Sequence, residues 1–161
     1  MPALPEGTSV IEHEVVVAAR PETVFAYFTD PAKMVDWMGD EAILDPQPGG
    51  ICRIALGPAV MLGRYVEVVP YSRVAFSWGW ETERGVPPAS TAVEVSLTPD
   101  GDGTRVHLLH RRLPAAAVGF HTMGWNHYLP RLVSAARGVA PGPDRLPHEV
   151  RATRTTRRGE S

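Results

Sequence analysis

Hydrophobic and polar positions alternate along this chain in two rhythms, and the change from one to the other divides it into elements. Residues 9–18 are dense in β-branched side chains (Val10, Ile11, Val15, Val16, Val17) and predict a first strand. Between Ala19 and Gly39 the period lengthens. Pro21 suits the first turn of a helix, where a missing N–H costs nothing, and Val24, Phe25 and Phe28 then recur at helical spacing. Asp30-Pro31 stops that helix; Met34, Trp37 and Met38 give a second one a bulky apolar face before Gly39 ends it. From Glu41 the two-residue period returns, and strands are expected over residues 41–44, 51–56, 60–69, 73–80, 91–98 and 104–111. Breakers separate them: Asp45-Pro46-Gln47-Pro48-Gly49-Gly50, Gly57-Pro58, Pro70-Tyr71-Ser72, and a hairpin turn across Pro99 to Gly103. The last periodic segment is one long helix over residues 115–137. Its stripe is Val118, His121, Trp125, Tyr128, Leu132, Val133 and Ala136, and Pro130 inside it is expected to kink it.

The order is therefore β-α-α-β-β-β-β-β-β-α, an α+β arrangement. A strongly curved antiparallel sheet has one face to bury, and the final helix is the only element long enough to lie across it. Strand 73–80 carries the cleanest alternation, with Val74, Phe76, Trp78 and Trp80 on one face. Residues 1–8 read as a lead-in, 9–137 as one domain, and the Pro-, Arg- and Thr-rich residues 138–161 as an extended or disordered tail.

Composition narrows the function classes. With 161 residues, 43% hydrophobic and 21% charged, the chain has room for a substantial core of ordinary soluble type. A formal charge of -2 gives no electrostatic case for nucleic acid. A single cysteine, Cys52, excludes an intramolecular disulfide and reads as a small buried hydrophobe. No apolar run approaches a membrane span, and no signal peptide is visible, so a cytoplasmic location without integral membrane association is expected.

The candidate chemistry lies on the face that the long helix covers. Phe76, Trp78 and Trp80, with Trp125 on the helix, could wall an apolar pocket, since aromatic rings supply rigid surface and an indole N–H orients a polar end. Plain core packing is the competing account of each. Trp37 and Met38, with Met34, suit either a gate at one end of such a pocket or a simple cap. Tyr65 adds a hydroxyl, on a strand apolar on both faces. His110 and His121 fall on inward positions, where they could meet and bind a ligand's polar group or be satisfied within a partly polar core. No metal site is expected: His121 and His127 lack the i, i+4 spacing, and His107 and His110 point to opposite sides of one strand. Asp100-Gly101-Asp102-Gly103 mimics the start of a calcium loop, but Arg111 stands where such a loop ends in an acid. Arg151 to Arg158 reads as a solvated run rather than a site for an acidic partner.

Four segments taken together resemble a known family. They are residues 19–38, the Pro-Gly-Gly turn that ends at Gly50, residues 63–78 beginning Gly63-Arg64-Tyr65, and residues 103–110 with Gly124-Trp125 through Leu132. The chain resembles the START-like, birch-allergen-like superfamily called SRPBCC, and within it the homologues of the activator of the heat-shock-protein-90 ATPase. That resemblance implies a helix-grip fold: a curved sheet gripping a long C-terminal helix around an internal apolar cavity. It implies binding of a small hydrophobic molecule (a lipid, polyketide or aromatic metabolite), a capacity that only some members join to catalysis; the leading expectation here is binding without catalysis and with no cofactor. Trp37, Met38, Tyr65, Phe76, Trp78, Trp80, His110, His121 and Trp125 are the expected ligand-binding residues. Two other functions stay open, since a fold does not fix a chemistry. One is a cyclase- or dehydratase-type enzyme using His110 and His121; the other is co-regulation of a chaperone ATPase. A homodimer is also left open.

Overall fold

A computed structural model describes residues 8–82, 85–142 and 144. Strand β1 (Thr8–Val17) leads into helix α1 (Pro21–Thr29) and the single turn α2 (Pro31–Met34). Six strands follow: β2 (Glu41–Leu44), β3 (Ile51–Leu56), β4 (Ala59–Val69), β5 (Arg73–Trp78), β6 (Thr91–Asp100) and β7 (Gly103–Pro114). A 3-10 turn at Ala115–Ala117 opens helix α3 (Val118–Ala136). The expected order holds throughout. Pro130 does not interrupt the helix; it sits exposed on the outer side of α3.

All seven strands form one antiparallel sheet in the order β1-β7-β6-β5-β4-β3-β2. Strands β2 to β7 are a simple meander, and β1 closes onto β7. Consecutive strands β1 and β2 thus lie at opposite edges, which is why two helices are needed between them. The β6–β7 hairpin pairs down to Asp100 and Gly103, with Gly101 at φ +61° in the tight turn.

Curvature comes from two extra residues and one missing side chain. Ile11 pairs with His110 but Ser9 pairs with Leu113, so β7 carries one more residue than β1 at Arg111-Arg112, where Arg112 has φ 67°. The bulge resets the alternation: His110 and Leu113, three apart, both face inward. Tyr65 pairs with Phe76 and Glu67 with Ala75, placing a second bulge at Val66 of β4. At Gly63 the backbone of β5 approaches so closely that a Cβ there would lie 1.8 Å from the Ser77 carbonyl oxygen.

The core fills the concave face, between the sheet and α3 with α1. Ile11 and Val17, Val93 and Val95, Val106 and Leu108 supply the strand side; Trp125, Tyr128, Leu129 and Leu132 supply the helix side. Beyond α3, Asp144 is anchored rather than solvated. Its carboxylate accepts from His127 Nε2 (2.9 Å), the Tyr128 hydroxyl (2.7 Å) and the Gly39 amide (3.1 Å). Arg151 to Arg158 lies outside the described residues. No helix among those described is long and apolar enough to cross a membrane.

Candidate functional site: an aromatic–histidine cluster under the long helix

Strand β5 and the residues just after it bring Trp78 and Trp80 under the first half of α3. Trp80 lies beyond the strand proper, held by a bridge to Met61 and by its amide bond to the Val86 carbonyl (2.8 Å). Helical spacing on α3 sets His121 and Trp125 one turn apart, and β7 delivers His110 from the neighbouring part of the sheet. The rings interlock: Trp78 centres lie 5.5 Å from Trp80, 5.4 Å from His110 and 5.3 Å from Trp125, and His110 lies 5.3 Å from His121. These are edge and tilted contacts, the arrangements that aromatic quadrupoles favour.

The hydrogen bonds of this cluster determine both tautomers. An indole N–H can only donate, so His121 Nε2, 3.1 Å from Trp80 Nε1, is an acceptor. His121 Nδ1 then carries the proton and donates it to the Ala117 carbonyl (2.8 Å). By the same reasoning His110 Nδ1 accepts from Trp125 Nε1 (3.1 Å), and its Nε2–H donates to Thr91 Oγ1 (2.8 Å). Thr91 passes its own proton to the Trp78 carbonyl (2.8 Å). Both imidazoles are neutral and every ring nitrogen is engaged. Burial drives the His110 pKa well down, with the neighbouring His121 adding to it. Burial also lowers that of His121, against a smaller upward pull from the Ala117 carbonyl.

Packing here is close but incomplete. A void of about 20 Å³ is bordered by Trp78, Trp80, Phe120, His121, Trp125 and Tyr128, and it is room for roughly one water. Outside it lies an open pocket of about 270 Å³ between the Pro114–Ala117 turn, Gly85 and α3. Trp80, Phe120 and His121 border both spaces. Trp78 Nε1, on a side chain 4% exposed, has no hydrogen-bond partner among the described residues.

The remaining candidates sit elsewhere. Phe76 borders the cluster, 6.5 Å from Trp78, and continues toward Tyr65 at 6.1 Å. Trp37, Met38 and Tyr65 are buried beneath the helix pair, away from both spaces. Trp37 Nε1 donates to the Tyr27 carbonyl (2.9 Å) and the Tyr65 hydroxyl to that of Phe28 (2.8 Å). Phe120 was not singled out from the sequence; its offset from the α3 stripe hid it, though it immediately precedes His121. Cys52 lies beside Tyr65 in the core, and desolvation pushes its thiol up to about 12, so it stays protonated. Among the described residues no group of three or more His, Cys, Asp or Glu side chains could hold a metal ion.

Comparisons with known proteins agree with this architecture. An AHSA1-like protein from Rhizobium etli, solved in solution, is 42% identical, with a TM-score of 0.68 over 89% of this chain and 91% of that one. CalU16 from Micromonospora echinospora is 28% identical, with a TM-score of 0.69 over 87% of this chain and 70% of that one. The Aha1 dimer from Colwellia psychrerythraea shares the fold at 15% identity, with a TM-score of 0.71 over 83% of this chain and 99% of that one. No curated protein matches by sequence. The family model described as "Activator of Hsp90 ATPase homolog 1-like protein" matches residues 18–137, and the chain belongs to that family, within the SRPBCC superfamily.

Proposed function

We propose that the protein binds a small apolar molecule between the sheet and the first half of α3, without transforming it. One observation carries this reading: an open pocket and an aromatic-walled void share Phe120 and the hydrogen-bonded Trp80–His121 pair as their common wall. The void alone is far below the roughly 300–1,000 Å³ of a pocket for a drug-sized ligand. Entry therefore requires the half-buried Phe120 ring to swing, which merges the two spaces. The resulting wall is Trp78, Trp80, Trp125 and Tyr128, large rigid surfaces with few rotors to freeze.

The engagement of both histidines supports the non-catalytic form of the reading. General acid–base work needs a ring nitrogen within reach of substrate and a pKa near the working pH. Here each nitrogen is already bonded, and burial favours the neutral ring.

Thermal unfolding against a panel of one- and two-ring aromatic compounds tests the proposal. A ligand present at 100 times its Kd stabilises the native state by about 2.7 kcal/mol, several degrees in Tm for a domain of this size. Phe120→Ala should raise the association rate of any compound that binds. The proposal fails if no compound shifts Tm and none perturbs tryptophan fluorescence.

A further inference from the structure

A glycine in the interior of a helix needs a reason, because alanine holds a helix better. Gly124 stands in the interior of α3, just before Trp125, and borders the void. Neither usual reason applies to it. Its φ is not positive. Apart from its chain neighbours and its own helix backbone, no described atom lies within 4 Å of where a Cβ would stand. Gly63 is the contrast, since a Cβ there would run into β5. Gly119 has equal room, but it is exposed in the first turn of α3 and borders neither space. What the missing side chain at Gly124 leaves is open space on a half-buried flank of α3, beside the void.

We propose that Gly124 is a specificity-determining residue: because it has no side chain, the void receives the apolar leading edge of a two-ring ligand whose remainder fills the outer pocket. This rests on the ligand-binding reading above and specifies which ligands it admits. That the inner end is apolar follows from the wall. Leu56 and the rings of Trp78, Trp80 and Trp125 form much of it. Its accessible polar groups are engaged: Trp80 Nε1, Trp125 Nε1 and both nitrogens of His121 in the bonds described above, and the Tyr128 hydroxyl with Asp144. Trp78 Nε1 is inaccessible. A hydroxyl, carbonyl or charge on the inner end would shed its water and gain no partner, so polar substituents belong on the end left in the outer pocket. Length follows from Gly124. A methyl group and a water are of similar size, so even an alanine side chain takes up as much space as the void offers. A single ring held in the outer pocket does not reach that far.

The test uses the full chain, the variant Gly124→Ala and two probes, toluene with one ring and 2-methylnaphthalene with two. In equilibrium dialysis the variant should bind 2-methylnaphthalene about tenfold more weakly than wild type, the worth of roughly two methylene-sized groups kept out of an apolar site. Toluene should bind both proteins equally. The variant's Tm should nonetheless rise by a few degrees, because alanine favours the helix and has room. In a nitrogen–proton correlation spectrum of wild type, the Gly124 amide, identified from the variant, should move with 2-methylnaphthalene and stay in place with toluene. A variant that fails to fold, or melts lower, would mean that a methyl group has no room there and overturns the inference. Equal weakening of both probes, unchanged binding of both, or an amide unmoved by 2-methylnaphthalene overturns it too and leaves apolar binding standing. If wild type binds neither probe, both readings fall.

Discussion

Thr91 shows how little freedom the polar part of this core has. Its single hydroxyl accepts from His110 Nε2 and donates to the Trp78 carbonyl, and it is 3% exposed. The His110 tautomer is thereby locked from both sides, by Trp125 on one nitrogen and Thr91 on the other. Thr91→Val keeps the shape but strands one donor and one acceptor in a dry interior. Such groups cost about 1–3 kcal/mol each when unsatisfied, so urea unfolding should show a loss of at least about 2 kcal/mol. Thr91→Ser should recover most of it, because the hydroxyl returns while one methyl is lost. A valine variant as stable as wild type would mean that the Thr91 bonds are not what holds His110 in place.

The helix pair owes its position to side chains that finish one helix for another's benefit. The last carbonyls of α1 cannot bond within the helix. Ala26 is met by the Asp30 amide just past the helix (2.9 Å), Tyr27 by Trp37 Nε1 and Phe28 by the Tyr65 hydroxyl. Tyr65→Phe should therefore destabilise by about 1–3 kcal/mol in urea without altering ligand preference. A change in selectivity with intact stability would return Tyr65 to the site. The sequence made the elements legible because hydrophobic period survives without knowledge of the fold. The family resemblance then implied an apolar cavity between the sheet and α3, and the meeting of His110 with His121 follows from their inward positions. What stayed hidden depends on where side chains end. Trp37 and Tyr65 look like cavity residues in sequence because an aromatic that caps a carbonyl and one that walls a pocket share the same strand or helix face. The bulge at Arg111-Arg112 was equally invisible, since two arginines carry no signature of a positive φ.

For the molecule as a whole, two neutral histidines sealed in one core make stability depend on pH. Both have folded-state pKa values below the ordinary 6.5, His110 well below it, chiefly through burial. The unfolded chain exposes them and binds protons near 6.5, so below that pH it holds more protons than the native state. Stability contributed by their neutral form is complete above about 6.5 and falls as pH drops, by up to about 1.4 kcal/mol per pH unit for each ring, until the folded value is reached. Carboxylates near 4 begin to take up protons below about pH 5.5, so the interval from about 6.5 to 5.5 reports chiefly on the histidines. Half-buried His107, whose Nε2 pairs with Glu12, stands outside the core and is controlled for by His107→Gln. Urea unfolding at pH 7.5, 6.5, 5.5 and 4.5 should show a plateau, then a steepening decline. His121→Gln should reduce the slope even while lowering stability at pH 7.5, a separation that simple loss of packing does not produce. A flat profile down to pH 5 would mean that protons reach these rings in the native state.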